Sequence, residues 1–350
     1  MDRYQVVWDS PSEDHAGQMP VGNGDVGAGV YVIKDDALYL LLSKNDALTY
    51  NGDIFKTGRV RIAMAPSPFA AGQPYRQTLD LETGSILIEA SGVAIRLWAD
   101  MNRPVYHVQI DSPDEVAVTA SSDLFERMDT CRHNLTSQPI DNPTQDVRLE
   151  RAGHILWYFA VGDRSVYPGD LKFYDVGHMA TEYPDPYRFN TFGNLLESPE
   201  LILKDGRLAG SGKRFDVRIH ALTKKTPDPS EWIKMIEQQA ARPLDVGSDW
   251  KRHCQWWSDF WDRGWIVAND NTTPEEDRDQ VGHEGYQPGR EAKDKGALVS
   301  QSYNVFRYMM ACQSRGAIQV KFNGGIFTQP LRIAEQDLKR ANMLCFDQGD

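Results

Sequence analysis

Apolar positions along the chain fall into two regimes, strand-like first and helix-like later. Residues 27–33 and 37–42 are short apolar runs hinged by Lys34-Asp35-Asp36, a hairpin signal. Residues 59–64 alternate charged and apolar side chains until Pro66 stops them. Residues 85–90 turn at Ser91-Gly92 into 93–98, and 105–110 alternate again after Pro104. Residues 154–161 and 215–222 supply two further strands. Many short strands with closely spaced turns predict a large antiparallel β-sandwich over residues 1–225 and argue against a βαβ arrangement.

The pattern changes at Thr226-Pro227-Asp228-Pro229-Ser230, where Asp228 or Ser230 can cap a helix that ends before Arg242-Pro243. A second helix begins near Ser248-Asp249 and carries Trp250, Cys254, Trp257 and Trp261 on one face. Residues 226–265 thus read as a helical linker holding six of the nine tryptophans. These rings could form a sugar-stacking platform, but helical spacing favours an aromatic seam that docks the linker on the sandwich. Residues 266–298 read as a charged, flexible insertion with few apolar positions, within which Glu275-Glu276 is expected to be solvated. Helical period returns with Val299, Tyr303, Phe306 and Met310, stops at Arg315-Gly316, and resumes in a polar helix around 332–343. One apolar face per helix with nothing to cover it makes a poor domain, so residues 299–350 are expected to begin a larger helical unit.

Composition narrows the function classes. The 350 residues are 41% hydrophobic and 25% charged, ordinary for about two globular domains at roughly 150 residues each. No apolar run approaches the roughly 18 residues of a spanning helix, and no apolar leader follows Met1. A net charge of -12 repels phosphate backbones, so neither nucleic acid nor membrane is an expected partner. An acidic, tryptophan-rich chain suits neutral polyhydroxylated ligands. Cys131, Cys254, Cys312 and Cys345 lack metal or redox spacing and read as small apolar residues. His107, His154 and His220 lie in or beside strands and read as surface or satisfied core residues. No metal site and no cofactor is expected.

Two segments could carry chemistry. In Met19-Pro20-Val21-Gly22-Asn23-Gly24-Asp25-Val26-Gly27 the glycines resemble a phosphate loop only in composition: the segment leads into a strand and lacks the Lys-Ser/Thr pair. It reads as a tight turn, or as a turn presenting Asn23 or Asp25 to another domain or a ligand. In Lys321-Phe322-Asn323-Gly324-Gly325-Ile326-Phe327, an amide, a lysine and flanking rings are what a sugar pocket uses, which makes Asn323 and Lys321 candidate substrate-binding residues.

Together these segments, with Trp8-Asp9-Ser10-Pro11-Ser12, Arg307 and Gln313-Ser314-Arg315-Gly316, resemble glycoside hydrolase family 95 and its uncharacterised relatives, domain-of-unknown-function family 5703. The second segment is closer to the uncharacterised relatives than to the fucosidases. The resemblance implies a mainly β chain: a large antiparallel β-sandwich (supersandwich), a helical linker, and the first helices of an (α/α)6 barrel. It also implies an inverting O-glycosidase, α-L-fucosidase-like at its narrowest, acting on oligo- or polysaccharide. There a barrel Glu is the general acid, and Asn side chains with an Asp position the water. Asn323 takes that Asn role by resemblance. The acid is expected beyond Asp350, which leaves this chain inactive alone. The alternative is a non-catalytic carbohydrate-binding or scaffolding β-sandwich.

Overall fold

The computed structural model describes residues 4–50, 52, 54–123, 146–151, 153–268, 294–319 and 325–327. Among them every paired strand is antiparallel. Two long strands, β9 (Val105–Asp123) and β14 (Arg207–Lys225), lie side by side along their length and organise the rest. The register between them slips between Gly212 and Arg214, opposite Pro113. A proline cannot donate to a ladder, and a bulge there lets both strands bend instead of ending. The sequence pattern predicted only 105–110 and 215–222; the strands run on because the bulge absorbs the proline.

Each half of β9 belongs to a different layer. Its first half pairs β8 (Val93–Ala99), followed outward by β7 (Ser85–Ala90), β6 (Tyr75–Asp80) and β1 (Val6–Trp8). On the other side of β14 this layer continues through β12 (Asn190–Glu197), β11 (His154–Ala160) and β10 (Val147–Arg151). The second half of β9 pairs β5 (Ile54–Ala65), then β4 (Leu38–Leu48), β3 (Val26–Val32) and β2 (Met19–Gly22). Short β13 (Ile202–Lys204) edges the start of β14. Alternating residues such as Ile88, Leu97, Val108 and Val217 meet Val30, Leu40, Ile62 and Val118 in one core. This is the antiparallel sandwich that period-two alternation predicts. An excursion between β11 and β12 carries α1 (Tyr167–Phe173), which the sequence pattern missed because its seven residues bury none of their side chains.

Three helices follow. Helix α2 (Pro229–Ala240) is capped by Asp228 and inserts Trp232 against Leu156, Leu195 and Leu222. The Trp232 indole donates to the Leu222 carbonyl at 3.1 Å. Helix α3 (Val246–Asp262), capped by Asp245, buries Trp257 and Trp261 in the main core, and Trp261 donates to the Leu81 carbonyl at 2.6 Å. The aromatic seam therefore docks the helix. Trp250 and Cys254 sit half-buried at its edge, while Asp249 and His253 occupy the inner face.

Helix α4 (Lys295–Gln313), capped by Asp294, departs from expectation. The stripe at Val299, Tyr303 and Phe306 does not face inward: these side chains are 57%, 39% and 62% exposed. The packed face holds Ala297, Ser300, Gln301, Asn304, Tyr308 and Cys312 instead. Along its first half the neighbour is main chain, which explains the polarity there, whereas Tyr308 and Cys312 join the main core and Tyr308 stacks on Trp257 at 5.1 Å. Asn304 accepts from the Ile266 amide at 3.4 Å and donates to the Ile266 carbonyl at 3.0 Å, and the Ala268 amide donates to Ser300 at 2.7 Å. Among the described residues no helix is long and apolar enough to cross a membrane. The expected 332–343 helix, most of the charged stretch, Cys131 and Cys345 lie outside the described residues.

Candidate functional site

The Gly-Asn-Gly turn between β2 and β3 is built around Asn23, whose side chain is turned into the protein. Asn23 Nδ2 donates to the carbonyls of Asp100 at 2.7 Å and Arg103 at 2.9 Å, while Oδ1 accepts from the amides of Asp25 at 3.0 Å and Val26 at 2.9 Å. That uses the amide's four bonding capacities and closes an Asx-type turn. Asn23 is therefore not presented to solvent. Asp25 pairs with Lys44 at 2.9 Å, and Lys44 also holds Asp46 at 2.7 Å. The outer edge of the turn receives the end of α4. Gly24 N donates to the Cys312 carbonyl and Arg315 N donates to the Gly24 carbonyl, both at 2.8 Å. A helix end leaves carbonyls without intrahelical partners, and the turn satisfies one of them. Arg315 lies over the Trp256 ring at 4.5 Å and donates to the Asn23 and Met101 carbonyls at 3.3 and 3.4 Å. Burial, with Arg263 nearby, lowers its pKa from the usual guanidinium value.

The same joint receives the end of the second motif. Gln313 Oε1 accepts from the Ile326 amide at 3.2 Å, and Ile326 is buried. A Cβ on Gly27 would lie 2.5 Å from Ile326 Cδ1 and 2.9 Å from Phe327 Cε1, so this glycine opens the space they fill. Asn45, fully buried in β4, donates to the Ile318 carbonyl at 2.6 Å and the Gln313 carbonyl at 3.4 Å. The structure thus brings Asn23, Asp25 and the Ile326-Phe327 end of the second motif into one joint. Asn323 and Lys321 lie outside the described residues. Sequence reasoning missed Asn45 and the Tyr106 hydroxyl, which donates to the Gly27 and Ser43 carbonyls at 2.8 and 3.0 Å. The available signal for Asn45 was the polar run Ser43-Lys44-Asn45-Asp46 inside an otherwise apolar strand.

A second polar cluster lies where α3 meets the sandwich. Asp100, His107, Asp249 and His253 are all fully buried. His107 stacks on Trp98 with ring centroids 4.2 Å apart and meets Asp216 at 3.3 Å. Burial, with the Asp249 charge added, raises the Asp100 carboxyl pKa. Burial also pulls His253 down to about 4, leaving a neutral ring that donates to the Thr83 carbonyl at 2.7 Å. Asp249 is held by Arg252 and, at 3.6 Å, by Arg103. Groups closed off from solvent in this way fix a helix on a sheet. Of the remaining histidines, His220 is buried against Glu197 at 3.0 Å and His154 faces Glu237 at 3.4 Å. Among the described residues no group of three or more His, Cys, Asp or Glu could hold a metal ion.

Residues 7–266 match the profile of the amino-terminal part of a domain of unknown function, DUF5703. The chain belongs to the DUF5703 family. No curated protein matches it. Among solved structures, a putative kojibiose phosphorylase from human microbiome is similar at a TM-score of 0.42 and 10% identity, over 88% of this chain. The DUF5703 chain spans 41% of that structure's chain.

Proposed function

We propose that this DUF5703 chain is the amino-terminal part of a carbohydrate-active glycoside hydrolase, an inverting O-glycosidase with α-L-fucosidase-like substrates the first to test. The observation that supports the reading is the joint itself. Two segments about 300 residues apart in sequence, which carry the resemblance to glycoside hydrolase family 95, meet at Gly22–Gly27 on one side and Gln313, Ile326 and Phe327 on the other.

In this reading the sandwich acts by positioning. Asn45, Gln313 and the glycine turn hold residues 318 and 326, on either side of the segment that carries Lys321 and Asn323, and those two side chains bind saccharide and orient water. Inversion needs a carboxylic acid at the leaving oxygen and an activated water on the opposite face of the sugar. No Asp or Glu among the described residues is assigned either role, and the acid is proposed to follow in a longer protein. The test is a screen of aryl α- and β-glycosides with residues 1–350 and with a longer protein that contains them. We expect hydrolysis only from the longer protein, and ordinary turnover by 1–350 alone would overturn the assignment. In the longer protein Asn323→Ala should lower turnover more than about tenfold, the scale of one positioned hydrogen bond. Unchanged turnover would remove Asn323 from the site.

A further inference from the structure

The end of α3 and the β6–β7 turn border an open pocket of about 380 Å³ lined by Glu82, Thr83, Cys254, Ser258, Trp261, Asp262 and Trp265. Its walls differ from the aromatic seam behind them. Trp257 and Trp261 are spent on the core, at 0% and 5% exposure, whereas Trp265 is 55% exposed. Glu82 and Asp262 make no ion pair among the described residues. The turn that carries Glu82 is rigid: Asp80 accepts from the Glu82 amide at 3.0 Å and from the Thr83 hydroxyl at 2.5 Å, and Trp261 and His253 tie Leu81 and Thr83 to α3. The backbone that carries Glu82 is therefore fixed against α3, the helix that carries Ser258 and Asp262.

We propose that this cavity is a subsite for a neutral saccharide, with Trp265 stacking on the apolar face of one sugar ring and Glu82, Asp262 and Ser258 taking its hydroxyls. The inference rests on the carbohydrate reading above and adds a place on the linker where sugar is held. Size supports it, since about 380 Å³ lies at the small end of ligand pockets. Carboxylate oxygens accept from sugar hydroxyls, and the tetramethylammonium arm below sets that ligand class against an organic cation.

The experiment uses residues 1–350 with maltose, cellobiose, xylobiose and mannobiose as probes, read by tryptophan fluorescence and saturation-transfer NMR, with tetramethylammonium as the cationic arm. At least one disaccharide should saturate in the millimolar range. Trp265→Ala should weaken it more than tenfold, and Glu82→Gln and Asp262→Asn should each weaken it several-fold. Trp265→Tyr, which keeps a ring, should recover most of the binding, and circular dichroism checks that each variant is folded. Saturation by no disaccharide, or binding indifferent to Trp265→Ala, overturns the subsite. A Trp265-dependent response to tetramethylammonium alone overturns its ligand class. Glycosidase activity in the longer protein alongside any of these failures leaves the proposed function standing and removes only this cavity. Binding here without any hydrolysis does the reverse.

Discussion

Replacing Asn23 with alanine tests whether the Gly-Asn-Gly turn is a structural joint. The side chain is 6% exposed and makes four hydrogen bonds, two donated and two accepted. At about 1 kcal/mol net for each, their loss sums to about 4 kcal/mol. Water can reach the half-buried Asp25 amide and recover part of this, which puts the expected cost of Asn23→Ala near 3 kcal/mol. Asn23→Asp discriminates further. It keeps the two accepted bonds but aims a second acceptor at the Asp100 and Arg103 carbonyls, which lie 2.7 and 2.9 Å from the native nitrogen. At neutral pH it should cost at least as much as alanine. That carboxyl would have a raised folded-state pKa, so the folded state would bind more protons and the defect should shrink as pH falls. Urea unfolding followed by tryptophan fluorescence measures all three proteins, and hydrogen exchange at α4 locates the damage. A cost below about 0.5 kcal/mol for Asn23→Ala, or Asn23→Asp more stable than Asn23→Ala at pH 7, would refute the reasoning.

Three further outcomes follow from the packing. Gly84→Ala should cost roughly 3 kcal/mol or more and erase near-ultraviolet dichroism from Trp257. The residue has φ +59°, and its Cβ would lie 2.0 Å from Trp257 Cε2; an unchanged melting temperature would contradict this packing. His253 is held near 4 in the fold against about 6.5 when unfolded, so its contribution is full above pH 6.5 and falls as pH drops towards 4, by at most about 3 kcal/mol. The raised Asp100 carboxyl works in the opposite sense, its contribution growing as pH falls. His253→Asn should therefore flatten the acid limb of a stability–pH curve, and a limb of unchanged slope would refute the attribution. Arg315→Met should cost about 1–2 kcal/mol by removing the Trp256 stacking and two carbonyl bonds, and should speed exchange at the Gly24 and Arg315 amides. Arg315→Lys should not restore protection, because an ammonium cannot span both carbonyls while stacking on the ring.

Much of the sandwich was legible because some strands are half-buried and alternate, as in 59–64, although 105–110 alternates in sequence while lying buried on both faces. The lengths of β9 and β14 were not legible. A proline at 113 reads as an end when only its own strand is visible, and the compensating irregularity between Gly212 and Arg214 lies about 100 residues away. The α3 seam was legible because tryptophan on one helical face has to be buried somewhere. Helix α4 defeated the same logic. Apolar period predicts the inner face only when the partner presents side chains. Ser300 and Asn304 are inward because they meet the main chain at Ile266 and Ala268, which demands donors and acceptors. Hydropathy counts such residues as surface.

The glycine motif shows where the candidate site escaped the sequence. Read locally, Gly22, Gly24 and Gly27 suggest three residues free to take positive φ, yet only Gly24 does so, at +95°. The others are glycine for space. A Cβ on Gly22 would lie 2.5 Å from the Cys312 carbonyl oxygen, one on Gly24 would lie 2.3 Å from Arg315 Cβ, and one on Gly27 would lie 2.5 Å from Ile326 Cδ1. Each collision is with a different residue of the segment 312–326. The spacing of the three glycines is therefore the footprint of the end of α4 and the loop after it, impressed on a hairpin that precedes them by nearly the whole chain. A side chain added at Gly22 should disturb the end of α4 more than the turn in which it sits, and one at Gly27 should displace Ile326 and Phe327. Gly22→Ala makes the point most sharply, because its nearest obstacle is the Cys312 carbonyl oxygen at 2.5 Å, a backbone atom that no rotamer change can move aside, whereas the β3 carbonyl of Val26 lies farther off at 3.0 Å. Exchange at the Arg315 amide should rise in that variant while β3 amides stay protected. The reverse order would mean that the turn, and not the helix it receives, is what these glycines serve.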